Sequence, residues 1–168
     1  TDTSLRMKYF QFYSDGIITT SNYLTKFYSK KVKHVVEIPT LFDLNISRSL
    51  NEDKKVKFIY AGIPFDKNHP LKKRNLIKDR LDKVVVLFSN IGLNYNNFIL
   101  NIYGLNELDY IEVFPEHKSM LIVSKNCIKF HGKVSNTIIK EQMLLSDFSV
   151  FIRNIDRTIE AGFPTKFS

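Results

Sequence analysis

The chain has 168 residues, 43% of them hydrophobic and 25% charged, a composition that carries a sizeable core and argues against intrinsic disorder. Its single cysteine, Cys127, excludes an internal disulfide framework and any cysteine-based zinc site; no apolar run approaches the roughly 20 residues of a membrane span. The net charge of +8 admits nucleic acid, anionic headgroups or phosphorylated ligands as partners without choosing among them.

The elements alternate along the chain. Residues 15–20, Asp-Gly-Ile-Ile-Thr-Thr, read as a short strand, and Ser21 is placed to cap a helix carrying Tyr23, Leu24, Phe27 and Tyr28 at helical spacing. Residues 34–38 read as a second strand stopped by Pro39, and the polar stretch 44–56 as a linker. The pattern restarts with residues 57–62, Lys-Phe-Ile-Tyr-Ala-Gly, a buried strand ending in glycine. A long amphipathic helix follows, with Ile77, Leu81, Val84, Phe88 and Ile91 on one stripe and Gly92 as its stop. Residues 98–104 form the next strand, and an acidic loop around Glu107, Asp109, Glu112 and Glu116 leads to a helical segment near 120–123. Residues 127–132 are a strand, 136–145 a helix and 148–152 a short buried strand, Phe-Ser-Val-Phe-Ile, before Arg153. Last comes 160–166, Glu-Ala-Gly-Phe-Pro-Thr-Lys, a glycine turn opening a helix, which is a favourable place for an anion.

Strand-then-helix units with glycine-ended strands predict an α/β fold, a Rossmann-like parallel sheet with helices on both faces. In such sheets ligands sit at the carboxyl ends of the strands, where the winding order reverses. Gly62, Gly104, Gly132 and the loop after Ile152 are therefore expected along one edge. The Gly-x-Gly-x-x-Gly dinucleotide fingerprint, the Walker loop and the serine-hydrolase elbow are all absent. Local chemistry leaves an anion-binding cleft of unassigned reaction.

Several segments, in order, resemble the carboxyl-terminal half of a retaining glycosyltransferase of the GT-B fold, in the large group-one, GT4-like family. They are 15–24 with 38–43, Ile59-Tyr-Ala-Gly62, Lys73-Arg-Asn-Leu-Ile77, Ile102-Tyr-Gly104, Phe130-His-Gly-Lys-Val134, 146–153 and Gly162-Phe-Pro-Thr-Lys166. The resemblance implies a division into 1–43 as the end of an amino-terminal domain with its crossover, 44–56 as linker, and 57–168 as an incomplete nucleotide-sugar-binding domain. It implies transfer of a sugar, hexosyltransferase-like, from a UDP- or GDP-linked donor to a glycan or lipid-linked acceptor with retention, in surface polysaccharide synthesis and without a metal or other cofactor. A cytoplasmic location follows, with peripheral contact at the inner face of the membrane as an added option and no nucleic acid as partner.

Residue by residue, the resemblance gives Gly62 close approach to the donor diphosphate, with an ordinary strand-end turn as the alternative. Lys73 or Arg74 would neutralise its charge, with Lys67 competing, against a solvated surface cation for each. Lys133 and Val134 would border the base, or form only a strand-to-helix turn. Arg153 needs a partner at its cleft-edge position, either a donor phosphate or a carboxylate such as Asp147 or Asp156. Gly162, Phe163, Pro164, Thr165 and Lys166 would present helix N-terminal amides to the phosphate, or simply begin a helix. His131 is expected to be packed or hydrogen-bonded rather than catalytic. One departure stands out: Ala161 occupies the position of the first family glutamate, beside Glu160, and the second is not in the sequence. The chain is accordingly expected to be an inactive fragment with unassigned catalytic residues. The competing expectation is a non-catalytic α/β module that binds nucleic acid or another polyanion through the lysine-rich segment 72–83.

Overall fold

The computed structural model describes residues 5–38, 54–65 and 79–153, and their contacts separate into two compact units, 5–38 and the remainder. The first contains α1 (Leu5–Tyr13), β1 (Gly16–Thr19), α2 (Asn22–Tyr28) and β2 (His34–Glu37). The two strands pair in parallel with Gly16 opposite His34 and Thr19 opposite Glu37, so α2 is the crossover of a βαβ unit. Ser21 caps α2 as expected, its Oγ accepting from the Leu24 N–H. Buried Thr19 is hydrogen-bonded to Thr25, which also donates to Glu37. The helix α1 was not foreseen: its aromatic residues follow no single buried stripe, and Leu5 and Phe12 are 85% and 81% exposed.

The second unit contains β3 (Val56–Ala61), α3 (Leu81–Gly92), β4 (Phe98–Tyr103), α4 (Glu107–Val113), a 3-10 turn (Pro115–His117), α5 (Lys118–Val123), β5 (Ile128–Phe130), α6 (Asn136–Leu144) and β6 (Phe148–Ser149). Its four strands are parallel, in the order β5-β4-β3-β6. The fold is therefore α/β, a Rossmann-like parallel sheet flanked by helices. Alternate residues of the strands, Tyr60 on β3, Phe98, Leu100 and Ile102 on β4 and Ile128 on β5, join Leu81, Val84, Val85 and Phe88 of α3 and Tyr110 and Leu121 in one core cluster. Burying each large apolar side chain contributes about 1.5–3 kcal/mol. Packing thus holds α3, because its N-cap, Arg80, makes no side-chain capping bond, a contribution that is only about 1 kcal/mol where present.

Three expectations change in detail. The acidic stretch read as a loop is the helix α4, because Asn106 caps it through the Asp109 N–H at 2.7 Å, Glu107 and Asp109 lie in its first turn where the dipole favours them, and Tyr110 and Val113 turn inward three residues apart. The closing strand is Phe148–Ser149 alone, and it is not buried: Phe148 is 58% exposed, since β6 ends the sheet order and has β3 as its neighbour on one side. Finally, α3 does end at Gly92, but not through a left-handed glycine. Among the described residues positive φ occurs at Gly104 and Gly132, whereas a Cβ on Gly92 would touch Cys127 at 3.5 Å. Gly92 lets the helix end lie on the buried, free thiol of Cys127.

Candidate functional site

From β3 the chain steps outward to β4 and β5, then returns to the opposite side of β3 to form β6. The winding order reverses between β3 and β6, and the crevice outside the carboxyl ends of those two strands is where an open α/β sheet takes a ligand. Gly62 follows β3 and Arg153 follows β6, so two of the predicted residues flank this point. Lys133, exposed, and Val134, half-buried, lie at the carboxyl end of β5, two strand spacings or about 10 Å from β3. Lys67, Lys73, Arg74 and Gly162, Phe163, Pro164, Thr165 and Lys166 lie outside the described residues.

The three glycines do share one edge, and hydrogen bonds join them across it. The Gly62 N–H donates to the Tyr103 carbonyl at 3.0 Å, that of Gly104 to the Gly132 carbonyl at 2.7 Å, and that of Gly132 to the Leu105 carbonyl at 3.1 Å. Gly104 has φ +99°, and a Cβ there would lie 2.4 Å from the Gly62 oxygen. Only glycine fits that approach of two strand ends.

Arg153 finds its partner in Asp79, a residue that sequence reasoning missed. Its Nε donates to Asp79 Oδ1 at 2.7 Å, with the two side chains 10% and 2% exposed. The Tyr60 hydroxyl donates to Asp79 Oδ2 at 3.2 Å, and the guanidinium carbon lies 5.1 Å from the Phe151 ring centroid. Burial first, then the charge and hydrogen bond of Asp79, push the Tyr60 phenol well above its ordinary value against a lowering by Arg153, so Tyr60 remains a donor at neutral pH. The backbone adds a tie, the Arg80 N–H donating to the Ile152 carbonyl at 2.6 Å. Of the carboxylates expected to serve Arg153, Asp147 instead accepts the Lys57 N–H of β3 at 2.8 Å, and Asp156 lies outside the described residues. Asp79 precedes an apolar helical run and looks like a solvated helix start; nothing local distinguishes it from a cap. The return of β6 beside β3 brings it Arg153, 74 residues on in sequence.

His131 is exposed but hydrogen-bonded, one of the two environments anticipated for it. Its ring stacks on Tyr103 with centroids 4.5 Å apart, and Nε2–H donates to Asn101 Oδ1 at 2.8 Å. Lost hydration and then repulsion from Lys129 hold its pKa below the usual value of 6.5. A depressed histidine pKa favours the neutral ring in the fold, so its contribution is complete above about pH 6.5 and declines as pH falls from there through the folded value. An NMR titration of the imidazole is expected to give a midpoint below 6.5; a midpoint at or above it would contradict the packing.

No protein family model matches the chain, and no curated protein matches it. A functional reading therefore rests on the chemistry of this carboxyl edge.

Proposed function

We propose that the four-stranded unit is the nucleotide-sugar-binding part of a retaining, hexosyltransferase-like glycosyltransferase. The observation that carries the reading is the pair Gly62, directly after β3, and Arg153, four residues after β6, which follow the two strands between which the winding reverses. There the chain combines a glycine, which allows a phosphate close to the backbone, with a guanidinium, whose fork matches phosphate oxygens. Lys67, Lys73, Arg74 and the segment Gly162, Phe163, Pro164, Thr165 and Lys166 join the proposal through the family resemblance alone. Sugar transfer needs charge stabilisation on the departing diphosphate, and in this reading the Arg153 guanidinium supplies it at this edge. Lys133 and Val134 would face the nucleotide base. The acceptor is a glycan or lipid-linked glycan of surface polysaccharide synthesis, met at the cytoplasmic face. Among the described residues no helix is long and apolar enough to cross a membrane, and contact with lipid in this reading is peripheral.

A thermal-shift titration with UDP, GDP and single-stranded DNA tests the proposal. A diphosphate at about 100 times its Kd is expected to stabilise the fold by about 2.7 kcal/mol. Stabilisation by DNA alone would overturn the transferase reading in favour of a polyanion-binding module.

A further inference from the structure

The Asp79–Arg153 pair is more than a staple between two loops. Asp79 is fixed from both sides, Oδ1 accepting from Arg153 Nε and Oδ2 from the Tyr60 hydroxyl. Arg153 meets the carboxylate through its inner nitrogen, Nε. A planar guanidinium held there carries its two Nη nitrogens on a further edge, the geometry that grips a phosphate bidentately. Arg153 lies three residues past Val150, whose N–H still donates to the Ile59 carbonyl of β3, so the chain leading to it is held at the carboxyl end of the sheet. The side chain retains some exposure where Asp79 has almost none. Asp79 itself lies at the foot of α3, one residue before the Arg80 N–H that binds Ile152. The segments flanking the crevice are thus tied by two bonds, one of backbone and one of charge.

We infer that Asp79 is a positioning residue that, with Tyr60, orients the Arg153 guanidinium to take the diphosphate of a nucleotide. The inference rests on the nucleotide-sugar reading and adds to it the residue that aims the cation. A buried carboxylate that only stapled loops would be replaceable, with its partner, by an apolar pair of similar volume without loss of ligand binding. One that aims a fork is replaceable for folding but not for binding the diphosphate.

The test is an NMR titration of the full chain with UDP, GDP and uridine. Asp79→Asn keeps the shape and an acceptor for Arg153 but loosens the fork, and is expected to weaken UDP binding about tenfold, equivalent to 1.4 kcal/mol, with uridine affinity unchanged. Arg153→Lys, which keeps the charge and loses the fork, is expected to behave alike. The double variant Asp79→Leu/Arg153→Met guards against a folding failure of the single ones. It is expected to be folded by circular dichroism and to bind UDP no better than uridine. Wild-type UDP affinity in a folded Asp79→Asn or double variant would overturn the positioning role while leaving the nucleotide site intact. A wild-type chain that binds neither UDP nor GDP would overturn both the role and the reading beneath it.

Discussion

Replacing Gly104 with alanine is expected to lower the unfolding free energy by about 3 kcal/mol, from two penalties that add. The backbone at φ +99° is disfavoured for any residue with a Cβ by about 1–2 kcal/mol. The new methyl would also meet Gly62 oxygen at 2.4 Å and Gly62 carbon at 2.9 Å, and forcing such an overlap to relax costs about 1–3 kcal/mol. Neither obstacle is a side chain that can rotate away. Gly62 is held by its bond to the Tyr103 carbonyl, and Gly104 by its bond to the Gly132 carbonyl. The Ala61–Tyr103 pairing fixes the register between them. Relief therefore requires the ends of β3 and β4 to part, which also displaces Gly62 from the proposed phosphate position. Gly132 is the internal control, because it has φ +70° but nothing within 4 Å of a built Cβ. Gly132→Ala is expected to show the conformational penalty alone, about 1–2 kcal/mol. Urea denaturation of both variants decides the matter, and equal losses would show that the close approach of Gly62 and Gly104 is not a constraint.

The same edge marks what could be read from sequence. Glycines 62, 104 and 132 were legible because each closes a β-branched or aromatic run, and a parallel sheet places all such closures at one end. The helix α3 was legible from its apolar stripe, since buried Leu81, Val84, Val85 and Phe88 satisfy the helical period. The short α4 was not, because in a seven-residue helix the acids of the first turn mask a stripe of only two buried residues. Phe148 was read as buried from its hydrophobicity, but burial at an edge strand depends on what lies beyond it, and among the described residues its ring stacks on Phe58. Asp79 was illegible for a deeper reason. Its environment is built by Tyr60 from one strand and Arg153 from the far side of the topology, and no local period encodes a contact that long.

Removing Arg153 alone is expected to be among the most damaging single changes in the chain. With Arg153→Met the Asp79 carboxylate, 2% exposed, loses the guanidinium on its Oδ1, and removing one partner of a buried pair costs about 3–5 kcal/mol. Asp79→Leu is expected to cost less, because the longer Arg153 side chain, already 10% exposed, can carry its charge outward along its stem. The double variant Asp79→Leu/Arg153→Met removes both charges and is expected to recover most of the loss, since apolar replacement of a buried pair is often neutral. A residual deficit of about 1–3 kcal/mol should remain, from the Tyr60 hydroxyl that loses its hydrogen bond to Asp79. Adding Tyr60→Phe is then expected to restore stability, although the same change in the wild-type background weakens it. Chemical denaturation of the four combinations at Asp79 and Arg153 gives the coupling directly, and the Tyr60 pair of backgrounds supplies the reversal of sign. Additive losses with no recovery in the double variant would mean that the two side chains do not hold one another in solution, and that Arg153 is oriented by some other contact.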